Sequence, residues 1–251
     1  MKKRVIPFSP PDISELEINE VVEALRSGWI TTGPRTKLLE RRLAAYIDTG
    51  RTDYDTESDI ERWSNRVVCL NSATAAEELN LRILGIGPGD EVIVPAYTYT
   101  ATASAVIHCG ATVKFVDTQK DGDPITHMPE MDYAKMEAAI TEKTKAVIPV
   151  DLGGIVCDYD RIFEIVERKK GLFKPIESDC SPLGNLSSRI QKAIGRVAVL
   201  ADCAHSLGAS RVFNGERKFC GAIADFTSFS FQEHKGLTAY NSFENKELKV
   251  E

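Results

Sequence analysis

From Arg66 onward the chain alternates short, apolar, β-rich runs with helix-length segments, and few folds accommodate that rhythm. Val67-Val68-Cys69-Leu70, Glu91–Pro95, Thr112–Val116, 146–152, 197–201 and 226–231 read as strands. Residues 73–84, 100–109, 131–140 and 158–170 carry helical spacing between them. Strands joined through helices run parallel, and a parallel sheet must be covered on both faces. The pattern therefore predicts an α/β fold with a mostly parallel sheet. Ligands in such folds bind beyond the carboxyl ends of the strands. The segments expected there are Asn71–Ala76, Pro95–Thr102 and Asp202–His205.

Ahead of this rhythm, residues 12–27 read as an amphipathic helix. Ile13, Leu16, Val21, Val22 and Leu25 form its apolar stripe, Asp12 or Ser14 caps it and Gly28 ends it. A turn-rich loop runs from Gly28 to Pro34, and a second helix continues to Ile47. Residues 48–65 are polar and aperiodic and read as a surface insertion, and residues 171–195 as a loop insertion with one short helix. No internal repeat or low-complexity tract is present.

Bulk properties exclude several classes. A chain of 251 residues with 43% hydrophobic and 27% charged residues suits a soluble globular protein of one or two domains. A net charge of -6 and the lack of a basic run argue against a nucleic-acid surface. No apolar stretch reaches membrane-spanning length. Met1-Lys2-Lys3-Arg4 is basic like the start of a signal peptide, but no apolar region follows, so the expected location is cytoplasmic. The six cysteines include no CxxC pair. Cys203, His205 and Cys220 fit no common zinc spacing, so no metal is expected and the thiols read as reduced and mostly buried.

Asp202 ends the apolar run Val197-Ala198-Val199-Leu200-Ala201, and a carboxylate at the inner end of a buried strand needs a partner. A pyridinium ring is one candidate; an arginine or a helix start is another. Lys235 follows a further strand. An acid and a lysine so placed are the minimum kit for pyridoxal phosphate (PLP): the lysine forms a Schiff base, and the acid keeps the ring nitrogen protonated. A lysine at a strand end also serves as a plain solvated charge. His205 reaches the same ring or bonds backbone. Asn71-Ser72-Ala73-Thr74-Ala75-Ala76 opens a helix, where backbone N–H groups hold a phosphate or Ser72 merely caps. Tyr99 stacks on a flat ring or packs under its loop. Ser230 offers a hydroxyl to a phosphate.

Taken together, these segments resemble the DegT/DnrJ/EryC1/StrS family of PLP-dependent sugar aminotransferases, from about residue 5 to 235. The resemblance is carried by Ser27-Gly28-Trp29-Ile30-Thr31-Thr32-Gly33-Pro34, Asn71–Ala76, Gly87-Pro88-Gly89-Asp90-Glu91-Val92-Ile93-Val94-Pro95 and Asp202-Cys203-Ala204-His205. It implies the large domain of fold type I, with a mostly parallel sheet of the seven-stranded type. It also implies roles. Lys235 is the Schiff-base lysine and acid/base, Asp202 the pyridinium partner, and His205 a neighbour of the phenolic oxygen. Tyr99 stacks on the ring, Ala73, Thr74 and Ser230 bind phosphate, and Trp29, Ile30 and Thr31 line the sugar-nucleotide side. Family members pass an amino group, usually from glutamate, to a nucleotide-linked keto sugar, and build the site at a homodimer interface.

The end of the chain departs from the family pattern. Gln232-Glu233-His234 precedes the lysine and no Gly-Gly pair follows it. Residues 1–34 are expected to form the N-terminal helix and substrate-side loop, 35–235 an incomplete PLP-binding domain, and 236–251 a tail unlike the family. Set against the family pattern, the expectation is a truncated or frame-shifted product that lacks the C-terminal small domain and exposes apolar surface. Two further readings stand beside the aminotransferase: an inactive remnant of one, and a PLP-dependent sugar dehydratase, in which histidine replaces the lysine, because His234 lies next to it. The Trp29–Pro34 signature points away from cysteine desulfurases and other PLP lyases.

Overall fold

The computed structural model describes residues 12–119 and 130–232. They fall into two compact units, one within Met1–Cys69 and Phe231–Glu251, the other Leu70–Ser230.

In the first unit, helix α1 (Glu15–Arg26) starts at Ser14, whose hydroxyl accepts from the Leu16 amide while Glu17 reaches back to the Ser14 amide. Glu15 and Glu17 in its first turn and Arg26 in its last complement the helix dipole. None of its residues is buried. Helix α2 (Pro34–Thr49) opens with proline, which has no N–H to leave unpaired. Its Ala44 and Ala45 pack on Ile60 and Trp63 from a 3-10 helix, Glu57–Trp63. The Trp63 indole donates to Asp48 at 2.9 Å, and Tyr54 meets the ring edge-on. Residues 48–65 thus lie largely at the surface, as expected, but Ile60 and Trp63 tie them to α2 through a small core. Two large side chains carry it, too few to show a period.

The strand expected at 67–70 does not form. The Cys69 amide donates instead to the buried Glu40 carboxylate at 2.9 Å, so a side chain of α2 takes the place of a ladder partner.

The second unit holds a five-stranded sheet built from β1 (Glu91–Pro95), β2 (Thr112–Val116), β3 (Thr144–Val147), β4 (Ala198–Asp202) and, last in the chain, β7 (Phe226–Ser228). Their order is β2-β1-β3-β4-β7 and every pairing is parallel. The third and last strands are shorter than the 146–152 and 226–231 read from sequence. The period of two splits the strand residues between two cores. Val92, Val94, Ala146, Ala198 and Leu200 face Leu81 of α3 (Ala73–Ile83) and Ala105 and Val106 of α4 (Thr100–His108). Ile93, Val147, Val199 and Ala201 face Met136 of α5 (Tyr133–Ala139) and Tyr159, Ile162 and Val166 of α6 (Tyr159–Arg168). Each fully buried aliphatic or aromatic side chain contributes about 1.5–3 kcal/mol.

Residues 171–195 hold the one helix expected in them, α7 (Pro182–Ile194), but at thirteen residues it is longer than expected; its fully buried residues are polar, Ser187, Ser188 and Gln191, with Ile190 and Ile194 partly buried against the core. The Gln191 amide donates to the Leu84 carbonyl at 2.7 Å and accepts from Ile176, and Ser187 donates to Ile83 at 2.7 Å. These contacts satisfy the open carbonyls at the end of α3, which explains why apolar periodicity did not disclose the packing.

A hairpin absent from the sequence reading joins β5 (Ser210–Phe213) to β6 (Glu216–Phe219). Asn214 and Gly215 turn it with φ of 50° and 80°, the left-handed pair of a two-residue hairpin loop. No helix among the described residues is long and apolar enough to cross a membrane.

Candidate active site

Because the five strands are parallel, their carboxyl ends lie on one side. Asp202 closes β4 there, opposite Ser228 at the end of β7, and is only 5% exposed. Its Oδ2 accepts from the Thr102 hydroxyl in the first turn of α4 at 2.9 Å. Its Oδ1 accepts from the Ala204 amide at 3.1 Å. A carboxylate has about four acceptor positions, so this one keeps capacity for a further donor, and no lysine or arginine among the described residues pairs with it.

Helix α3 brings a second acid to the same place. Glu77 is buried, its Oε1 lies 3.5 Å from the Ser228 hydroxyl, and its Oε2 is buried with no donor facing it. Burial first, then the charge of Asp202, push the Glu77 carboxyl up from 4.5 to about 9. Two carboxylates so close in a dry place cannot both ionise cheaply.

Ser72 caps α3 by accepting from the Ala75 amide at 3.1 Å, and Ala73 and Thr74 form the first turn, half-buried. Tyr99 is the N-cap of α4 and its side chain is 72% exposed. His205 follows Asp202 on the loop after β4, and its Nδ1 accepts from the Gly153 amide at 3.2 Å. That bond leaves the ring proton on Nε2. The close approach depends on glycine: Gly153 and Gly154 have φ of 64° and 81°, and a Cβ on Gly154 would meet the His205 carbonyl at 3.3 Å. Ser230 lies two residues beyond the end of β7, half-buried. Trp29, Ile30 and Thr31 are exposed in the first unit. The Trp29 indole donates to the Thr32 carbonyl at 3.1 Å and covers Gly33, where any Cβ would overlap it. Lys235 and the 236–251 tail lie outside the described residues.

Beneath this site sits Asp151, the most heavily bonded acid of the unit. It accepts from the Cys157 amide, the Tyr159 hydroxyl, the Cys203 thiol, the Ser206 hydroxyl and the Cys220 thiol, all within 3.3 Å. Burial raises the Cys157, Cys203 and Tyr159 groups well above their ordinary values, so they stay protonated and donate. Cys203 and Cys220 do converge, as their pairing in the sequence invited, but on Asp151 rather than on His205. Sequence reasoning gave Thr102 only as the end of the segment Pro95–Thr102, with no role, and missed Glu77 and Asp151. Only the place of Asp151, near the end of the third strand, hinted at it.

Residues 11–181 and 187–242 match the DegT/DnrJ/EryC1/StrS aminotransferase family. The chain is 34% identical to the spore coat polysaccharide biosynthesis protein SpsC of Bacillus subtilis, over 94% of this chain and 48% of that one. It is 39% identical to a UDP-4-amino-4-deoxy-L-arabinose–oxoglutarate aminotransferase of Shewanella sediminis, over 68% of this chain and 38% of that one. Among solved structures, the PLP form of the putative sugar aminotransferase Spr1654 from Streptococcus pneumoniae is 51% identical, with a TM-score of 0.75 over 93% of this chain and 50% of that one. The chain thus spans about half the length of the curated relatives it matches.

Proposed function

Because this chain belongs to the DegT/DnrJ/EryC1/StrS aminotransferase family, we propose that it serves a PLP-dependent transfer of an amino group from an amino acid, glutamate first among candidates, to a nucleotide-linked keto sugar. The product would enter cell-surface polysaccharide or amino-sugar synthesis in the cytoplasm. The names of the Bacillus and Shewanella relatives support that direction.

The observation that carries the proposal is Asp202: a buried carboxylate, held from both oxygens, at the carboxyl end of an inner strand, with acceptor capacity to spare. That is what a pyridinium N–H requires. PLP, when bound, supplies an aldehyde that takes up the amino group and a protonated ring that accepts carbanion electrons. In this chain Asp202 would hold the proton on the ring nitrogen, and Thr102 would hold Asp202. His205, with its proton on Nε2, would donate to the phenolic oxygen. Tyr99 would cover one ring face. The first turn of α3, at Ala73 and Thr74, and the Ser230 hydroxyl would hold the phosphate. Lys235 would act as nucleophile and then carry the proton between substrate and cofactor. Trp29, Ile30 and Thr31 would contact the nucleotide sugar, and a homodimer would complete the site.

Cofactor capture tests this. After PLP addition and borohydride reduction, mass spectrometry should find a pyridoxyl adduct on Lys235, lost in Lys235→Ala. Amino transfer from glutamate to a nucleotide-linked keto sugar should accompany it. Scattered labelling across many lysines would replace the proposal with a non-catalytic role.

A further inference from the structure

We propose that Glu77 is a positioning residue for Asp202: its carboxyl donates a hydrogen bond to the Asp202 carboxylate and orients that group toward the ring nitrogen. The inference rests on the reading of Asp202 as the pyridinium partner.

Geometry carries it. Glu77 is one turn into α3, 5% exposed, with its side chain turned toward the ends of β4 and β7. Its neighbours supply little to a negative charge. The Ser228 hydroxyl from β7 stands 3.5 Å from Oε1, and nothing donates to the buried Oε2. From β4 comes only Asp202, itself an acid. From α4 comes Thr102, whose hydroxyl is already given to Asp202. Among the described residues no cation pairs with either acid.

An ionised Glu77 would therefore be a buried charge with a single donor, at 3.5 Å, and a second acid beside it. A protonated one converts the contact with Asp202 into a hydrogen bond, because the carboxyl then donates and the neighbouring acid accepts. The rise of its carboxyl to about 9 has the same two causes, burial and Asp202. Asp202 gains a third point of attachment, after Thr102 and Ala204, from the helix that opens at the expected phosphate site. Glu77 thereby holds the Asp202 side chain in place for the ring, without touching the ring itself.

The test compares Glu77→Gln, which keeps shape, neutrality and a donor, with Glu77→Leu, which removes the donor, and with Asp202→Asn. Without cofactor, urea unfolding is followed against pH. Wild type should lose stability relative to Glu77→Gln as pH rises from 4.5 to about 9. With PLP, Glu77→Gln should keep the wild-type dissociation constant and the pH midpoint of the cofactor's absorption. Glu77→Leu should weaken PLP binding about tenfold, the loss expected of one charge-assisted hydrogen bond, and move that midpoint while its cofactor-free stability holds or rises. Parallel stability curves for wild type and Glu77→Gln would overturn the proton on Glu77. Unchanged PLP affinity and spectrum in Glu77→Leu would overturn the positioning role. Unchanged PLP binding in Asp202→Asn would remove the cofactor reading, while the cofactor-free titration would still report separately on Glu77.

Discussion

Asp151 and Glu77 are both fully buried acids near the carboxyl ends of the same sheet, and the fold accommodates them in opposite ways. Asp151 stands among five donors that converge from three separate stretches of chain, 157–159, 203–206 and Cys220. Together they occupy the acceptor positions of both carboxyl oxygens. Glu77 has one distant hydroxyl and an acid for company, so it answers burial with a proton. A buried carboxyl is made tolerable either by donors or by neutralisation. The first solution builds rigid structure. The second leaves a proton at a place where chemistry can use it.

The largest effect that could break this contrast is Asp151→Leu. It strands two thiols, two hydroxyls and an amide, and should cost about 3–5 kcal/mol in urea unfolding, because each orphaned donor loses its bond. A loss below about 1 kcal/mol would show that the five contacts are not a supporting hub.

The pH response of Glu77 comes next. Its carboxyl is raised in the folded state, so the folded protein keeps a proton that the unfolded chain releases. The stability this represents is whole below 4.5 and is lost as pH rises toward about 9. The slope is at most about 1.4 kcal/mol per pH unit. Circular-dichroism melts at pH 5 and pH 9 should show Glu77→Gln indistinguishable from wild type, or nearly so, at the lower value and clearly more stable at the higher.

Thr102→Val sharpens the comparison at Asp202, which shares features of both acids. Removing the 2.9 Å hydroxyl contact from a charged acceptor should cost about 1.5–2 kcal/mol and weaken PLP retention in fluorescence titration. A loss of stability with unchanged PLP affinity would mean that Thr102 supports the strand end and not the cofactor. Ser206→Ala is the smallest expected change. Four donors to Asp151 remain, so chemical denaturation should register about 1 kcal/mol or less.

The βα rhythm, the helices from α3 to α6 and the place of Asp202 at a strand end were all legible in the chain, because each is encoded by local period and by where apolar runs stop. The Asn214-Gly215 hairpin was equally legible and was passed over: two residues suited to positive φ between β-capable runs are its signature. Other features had no local code. Residues 67–70 have the composition of a strand, yet Glu40 takes the Cys69 amide first. Helix α7 buries serine and glutamine because its task is to close the carbonyls of α3, a task that no hydrophobic period marks.

What the sequence determined by itself was the order of elements and therefore which side of the sheet gathers the strand ends. What only the tertiary structure decided was the company each polar group keeps there. Asp151 draws donors from as far as Cys220, and Glu77 meets residues more than a hundred positions away. Whether a buried carboxyl carries a charge depends on every group within a few ångströms, and that set is assembled only when distant segments pack.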